Sequence, residues 1–266
     1  MTDLRRTARA TGLWYLGIAL TGLIGFLLIR PAIHIPGSPA ETARNLVEQG
    51  TLARLGIALE LGIVLTQAGA ALWFYRLFRG VDAVAAGALA AFGLVNSVAI
   101  LGSAAFMATA VGVSADPGMA PGGDVAATVQ LLYEVSRKLW SVAALFFGLW
   151  LIPMGWLARA SGRMPVALGW TLMIGGVGYI VSGFLANGLA GVPPWLVEGL
   201  TIPASIGEFW MIGYLLSIGV RAEPASSREA GDGQAGCARC RSSPPSSRTG
   251  RARAHRNPAP DRRPRR

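Results

Sequence analysis

Apolar residues in this chain fall into long unbroken blocks separated by short polar stretches, without the period-two alternation of half-buried strands. The blocks cover residues 11–29, 55–75, 83–113, 139–157, 166–190 and 199–220. About 17–25 apolar residues cross a hydrocarbon core of roughly 30 Å at ~1.5 Å per residue. The pattern therefore predicts six transmembrane helices. The third block is longer than a crossing requires, and its helix is expected to end near Ala110. A membrane β-barrel needs alternating segments. The expected fold is an all-α, polytopic, six-transmembrane-helix bundle.

The polar stretches carry helix signals of their own. Ser38-Pro39-Ala40-Glu41 supplies a cap residue, a proline at the first helical position and a glutamate three residues after the cap. A short surface helix is expected through "AETARNLVEQG", ending at Gly50. Asp124 is placed to cap the fourth helix, which then starts well outside the membrane. Glu134 is spaced to meet Arg137 and Lys138 on one helical face, as weak solvated ion pairs.

Composition agrees with the blocks. At 52% hydrophobic and 14% charged residues, the chain is too apolar for an ordinary soluble domain, where charge is about a quarter. The net charge of +10 suggests a nucleic-acid binder until it is located. Residues 1–221 hold 13 Lys/Arg against 10 Asp/Glu, whereas residues 222–266 hold 11 Arg against 4 acids. The chain thus divides into a membrane domain, 1–222, and an Arg/Pro/Ser-rich tail, 223–266. The tail lacks aromatic residues and apolar periodicity and is expected to be disordered. Charge alone would let it meet anionic lipid or RNA, and an unselected extension of the reading frame has the same composition. No specific nucleic-acid partner is expected.

Arginine placement predicts orientation. With a cytoplasmic N-terminus, the inner side receives Arg5, Arg6, Arg9, Arg76, Arg79, Arg159, Arg163 and Arg221 with the tail. The outer side receives Arg30, Arg44, Arg54, Arg137 and Lys138 on longer connections. Both termini are expected inside, in a bacterial inner membrane. The first block is too long for a cleaved signal peptide and reads as a retained signal anchor.

Few residue types for chemistry are present. The two cysteines, Cys237 and Cys240, and one of the two histidines, His255, lie in the tail; the other histidine is His34. "CARC" is two ligands short of a structural zinc site. Neither a catalytic triad, an HExxH helix nor a phosphate loop is present, so no enzyme activity, metal or cofactor is expected. Six tryptophans, Trp14, Trp73, Trp140, Trp156, Trp195 and Trp210, mostly flank the apolar blocks as an interfacial belt does. The glycine-rich "MIGGVGYIVSG" reads as a close helix-packing surface.

The exceptions are polar residues inside the blocks. Glu208 interrupts "SIGEFWMIGY" and Glu60 interrupts "RLGIALELGIVLTQAG". Counted inward from the outer helix ends at ~1.5 Å per residue, they lie roughly 13–14 Å and 8–9 Å deep. Asn96 is near the middle of the third helix and Asn187 near the outer end of the fifth. Carboxylates at such depth face protein or a wet cavity and mark functional sites. Glu208 has two readings, a proton- or cation-binding carboxylate, or a helix tie partnered by Arg54 or Asn96. Pro203 frees a carbonyl near it and favours a local cavity. The candidate polar site is Glu60, Glu208, Asn96, Asn187 and Arg54.

"FFGLWLIPMGWLARASGRMPVALGWTLMIGGVGYI", "SPAETARNLVEQGTLARLGIALEL" and "GEFW" together resemble a bacterial membrane-protein family known as domain of unknown function 4386. The likeness runs from about Arg5 to Val220, with "LYEVSRKLW" departing from a His-containing pattern of that family. The resemblance implies a six-helix membrane domain and no assigned activity. The expected function is an interaction or sensory membrane subunit. It would meet lipid, another membrane protein or a second copy through its glycine-rich helices and outer surface helix. The alternative is a small-solute or proton-coupled carrier using Glu60 and Glu208.

Overall fold

The computed structural model describes residues 2–220, and all regular structure among them is helical. The basic tail, with Cys237, Cys240 and His255, lies outside the described residues. The first helical rod consists of α1 (Thr2–Leu23), a π-helical segment (Ile24–Ile29) and α2 (Arg30–Ile33). After it come α3 (Pro39–Glu48), α4 (Gly50–Phe78), α5 (Ala83–Ala115), α6 (Val125–Ala160), α7 (Val166–Gly188) and α8 (Pro194–Ser217). Five of these rods are long and apolar enough to cross a membrane: Asp3–Ile33, α4, α5, α6 and α7. The protein is therefore a multi-pass membrane protein. The sixth long helix, α8, contains Glu198, Glu208, Pro203 and two tryptophans, which lower its mean hydropathy.

Polar side chains set the starts of two long helices. Asp82 accepts a hydrogen bond from the Ala85 N–H at 2.9 Å, and Asp124 does the same for Ala127 at 2.9 Å. With Asp124 as cap, α6 runs for 36 residues, far more than a crossing needs. The helix α5 continues to Ala115 rather than ending near Ala110, since "TAVGVS" offers no breaker before Asp116 and Pro117. The surface helix α3 forms, but its start differs from the expected capping box. The Ser38 hydroxyl makes no cap bond; instead the Thr42 hydroxyl ties the preceding loop to the helix, accepting from the Ile35 N–H at 3.1 Å. Its end also differs, because Gly50 opens α4 instead of terminating α3.

The π-helical segment has a covalent cause. Pro31 lacks an N–H, and its ring would strike the carbonyl four residues back in a regular helix. The helix widens just before it, and the Arg30 N–H reaches the Gly25 carbonyl, five residues back. One extra residue in the turn rotates everything after it by about 100° around the axis. Arg30, expected among the outer loop charges, is thereby turned into the protein.

The long helices form a closed circuit, α1–α4–α5–α6–α7–α8, in which each packs on its chain neighbours and α8 returns to α1. Short connections impose this order. The turn between α6 and α7 passes through Gly162 at φ 62°, a conformation that suits glycine. Packing along α6, α7 and α8 is backbone-close. Gly148 and Gly155 of α6 face Gly176 and Gly169 of α7, each pair spaced by seven residues. A Cβ on Gly148 would lie 2.5 Å from the Gly176 carbonyl oxygen. On its other side α7 places Gly175 against Ala204 and Gly178 against the Leu200 carbonyl of α8. The glycine face expected to receive a partner is thus filled within the chain. The seam between α1 and α8 is the least extensive in the circuit.

The centre is aromatic. Tyr15 of α1 meets the edges of Phe74 (α4) and Trp150 (α6) with ring centroids 5.4 and 6.1 Å away, and all three are buried. Edge-to-face geometry of this kind contributes beyond area burial.

Candidate functional site

Tyr15 links the core to the first intramembrane carboxylate. Its hydroxyl donates to Glu208 Oε1 at 2.7 Å across the α1/α8 seam. Tyr15 is fully enclosed, whereas Glu208 is half-buried. Glu208 sits at the wall of a cleft of about 410 Å³ bounded by Ile18 to Leu23 of α1 with Phe26 and Leu27 of the π-helical segment, by Ser205, Phe209 and Ile212 of α8, and by Trp140, Phe147 and Tyr179. Leu23, Leu27 and Phe209 on its rim are exposed, so the cleft opens sideways between α1 and α8. Ile63 closes it from α4.

Glu60 occupies a separate compartment. Arg30 Nη1 donates to Glu60 Oε1 at 3.3 Å, and the Trp140 indole N–H reaches the same oxygen at 3.3 Å. Arg30 Nη2 donates to Ser136 Oγ at 2.7 Å, and the Ser136 and Ser103 hydroxyls are 2.7 Å apart. The side chains of Arg30 and Glu60 are only 11% and 5% exposed. A buried charge pair of this kind is tolerable because extra donors and acceptors satisfy its remaining groups. Glu60 Oε2 has no hydrogen-bond partner among the described residues, and Glu60 lines a small enclosed void with Gly25, Gly56 and Met107.

Two aromatic rings separate the compartments. Phe26 and Trp140 meet edge to face at 4.4 Å and line the cleft with one side. Behind them, the Arg30 guanidinium lies 5.3 Å from the Phe26 centroid and Glu60 holds the Trp140 N–H. The π-helical segment thus places Phe26 in the partition and Arg30 behind it.

Farther out, His34 stacks on Tyr133 at 5.3 Å and 11°. Its Nε2 lies 3.4 Å from the Gln130 amide nitrogen and 3.7 Å from Glu134. Burial pushes the His34 pKa below its ordinary value; Glu134 pulls it up, while Arg30 and Arg137 add to the fall. Arg137 Nε and Nη2 both donate to Glu134 Oε2, at 2.9 and 2.6 Å, and among the described residues Lys138 makes no such pair with it.

The five residues singled out from the sequence do not form one site. Asn96 donates to Gln67 Oε1 at 3.0 Å in a buried α5–α4 tie. Asn187 bonds Ser141 at 2.9 Å on an exposed α6–α7 edge. Arg54 is exposed and contributes to neither compartment. The reason is helical phase. Ala53, Gly56, Glu60, Ile63 and Gln67 share the inward face of α4, and Arg54, six residues before Glu60, falls about 120° away. Neither Arg54 nor Asn96 partners Glu208; Tyr15 does.

Residues 10–219 match the family model described as Domain of unknown function (DUF4386). The chain belongs to the DUF4386 family. No curated protein and no solved structure matches the chain significantly. Within this DUF4386 domain, the residues missed by sequence reading are Tyr15, Arg30, Trp140, Ser103 and Ser136. Tyr15 and Trp140 resembled ordinary span and belt aromatics. Arg30 resembled a loop charge, although the following Pro31 was a signal that the helix register shifts there. Among the described residues, no three His, Cys, Asp or Glu side chains gather as metal ligands.

Proposed function

We propose that this DUF4386 protein is a non-catalytic membrane receptor subunit that takes a lipid-soluble ligand from the bilayer into the α1/α8 cleft. The observation that carries this reading is the lateral cleft of about 410 Å³ ending on the Tyr15–Glu208 hydrogen bond. Its volume is in the range of small-molecule sites, and its lining is apolar except for a few convergent polar groups. A carboxylate kept half-buried inside a membrane protein is costly unless it has a task. Binding rather than chemistry is favoured because the cleft surrounds Glu208 with aromatic and aliphatic side chains. Under this reading α8 is a sixth crossing and both termini face the cytoplasm of a bacterial inner membrane. The arginines at positions 5, 6, 9, 76, 79, 159 and 163 support that orientation, because they gather at the helix ends that share the N-terminal side. The carrier alternative is weakened at Glu60, which Arg30, Trp140 and its neighbours already engage.

The test is labelling with a diazirine-bearing long-chain alcohol in nanodiscs. Saturable crosslinks should concentrate on residues 18–27 and 205–212, and Ser205→Trp, which fills the cleft, should abolish the saturable part. Labelling that is non-saturable and spread over every lipid-facing helix refutes the reading.

A further inference from the structure

We propose that the cleft selects amphiphilic organic cations, molecules with an alkyl body and an amine or quaternary ammonium head, by holding the head beside Glu208. This deepens the binding reading above and rests on it.

The first observation is a carboxyl group that no cation among the described residues accompanies. Glu208 lines the cleft, and among the described residues its hydrogen-bond partner is the neutral phenol of Tyr15. Among the described residues, no Lys, Arg or His lines the cleft. The Arg30 guanidinium is behind Phe26 and is neutralised by Glu60. A carboxylate in low dielectric without a counter-charge favours a ligand that brings one.

The second observation is the polarity of the hydrogen-bonding groups. The Tyr15 O–H is already given to Glu208, and the Trp140 N–H is turned out of the cleft to Glu60. The Tyr179 and Ser205 hydroxyls also line the cleft and can donate or accept. The acidic group fixed at its polar end is Glu208, which favours a head that donates or carries positive charge and disfavours carboxylate and phosphate heads.

The third observation is the ring of π faces. Tyr15, Phe26, Trp140, Phe147, Tyr179 and Phe209 all line the cleft, with Phe147 and Tyr179 in mutual contact at 5.7 Å. Aromatic walls around a carboxylate stabilise a desolvated ammonium through the ring quadrupoles. The same walls gain nothing special from a neutral alcohol.

The experiment uses the full chain in zwitterionic nanodiscs with the diazirine alcohol as reporter. Dodecyltrimethylammonium and dodecanol compete for the reporter's saturable crosslinks, compared at equal membrane-bound concentration. In the wild type the cation should displace the reporter at a concentration about tenfold or more below the alcohol. In Glu208→Gln the amide retains the Tyr15 bond, and the cation's advantage over the alcohol should fall to about twofold or less, read as the ratio of the two competitors within that variant. Phe147→Leu should reduce the advantage without removing it. Equal displacement by both competitors in the wild type overturns the proposal, as does a cation advantage that survives Glu208→Gln. Absence of any saturable crosslink to the cleft overturns the receptor reading itself, which separates the two failures.

Discussion

Replacing Arg30 by methionine should destabilise the protein far more than replacing Arg30 and Glu60 together. Arg30→Met approximates the apolar stem of the side chain but removes the guanidinium from Glu60 Oε1 and Ser136 Oγ. Glu60 then keeps the Trp140 N–H at 3.3 Å and the neighbouring Ser103 hydroxyl, neither of which carries a charge to balance it. Neither partner is exposed enough for solvent to screen the loss, at 11% and 5%. Removing one member of a buried pair costs about 3–5 kcal/mol, whereas replacing both by apolar groups of similar volume is often near neutral. At about 2–4 °C per kcal/mol for a domain of this size, Arg30→Met should lower the thermal midpoint by roughly 6–20 °C. Arg30→Met/Glu60→Leu should recover most of that, giving a coupling of about 2 kcal/mol or more in the double-mutant cycle. The assay is thermal unfolding of the detergent-purified protein, followed by tryptophan fluorescence and by loss of the monodisperse peak. Additive single and double mutants would refute the reasoning, because they would mean that Arg30 does not neutralise Glu60.

Three further outcomes are expected. Gly178→Ala should cost about 1–3 kcal/mol by overpacking, since its Cβ would run into the Leu200 carbonyl, whereas Gly87→Ala, with open space around it, should be neutral or slightly stabilising; similar thermal midpoints for the two would count against the backbone-close α7/α8 seam. His34, with its pKa held below the ordinary 6.5, binds its proton less readily folded than unfolded, so its contribution is complete above that pH and declines as pH falls below it; His34→Gln should flatten the acid limb of stability between pH 7 and 5, and an unchanged limb would remove His34 as its cause. Reporter fusions after Arg79 and Arg163 should show cytoplasmic-type activity and fusions within residues 116–123 external-type activity, and the reverse pattern would invert the proposed orientation.

The hydrophobic blocks by themselves determined that the protein is helical and crosses a membrane several times, because an apolar run of that length has few other soluble or folded solutions. Local chemistry was equally legible at Asp124, whose carboxylate caps α6, and in the 39–48 surface helix, since caps and amphipathic faces depend on residues within a turn or two. The family likeness was also readable, because ordered short motifs survive without any knowledge of contacts. The polar residues were visible as anomalies, but their pairing was not. Hydrogen bonds such as Tyr15–Glu208, separated by 193 positions, depend on which helix faces meet around the circuit, and no spacing along the chain encodes that. Arg30 shows the limit most plainly. By sequence it ends a span, yet one extra residue in the turn before Pro31 rotates it into the core, leaving Arg54 outside on the exposed phase of α4. Side-chain direction on a helix changes by about 100° per residue. The register shift itself is local to Pro31, but only the packing of α1 against α4 and α8 decides that the cation it turns inward neutralises Glu60 and that Glu208 is left with a phenol.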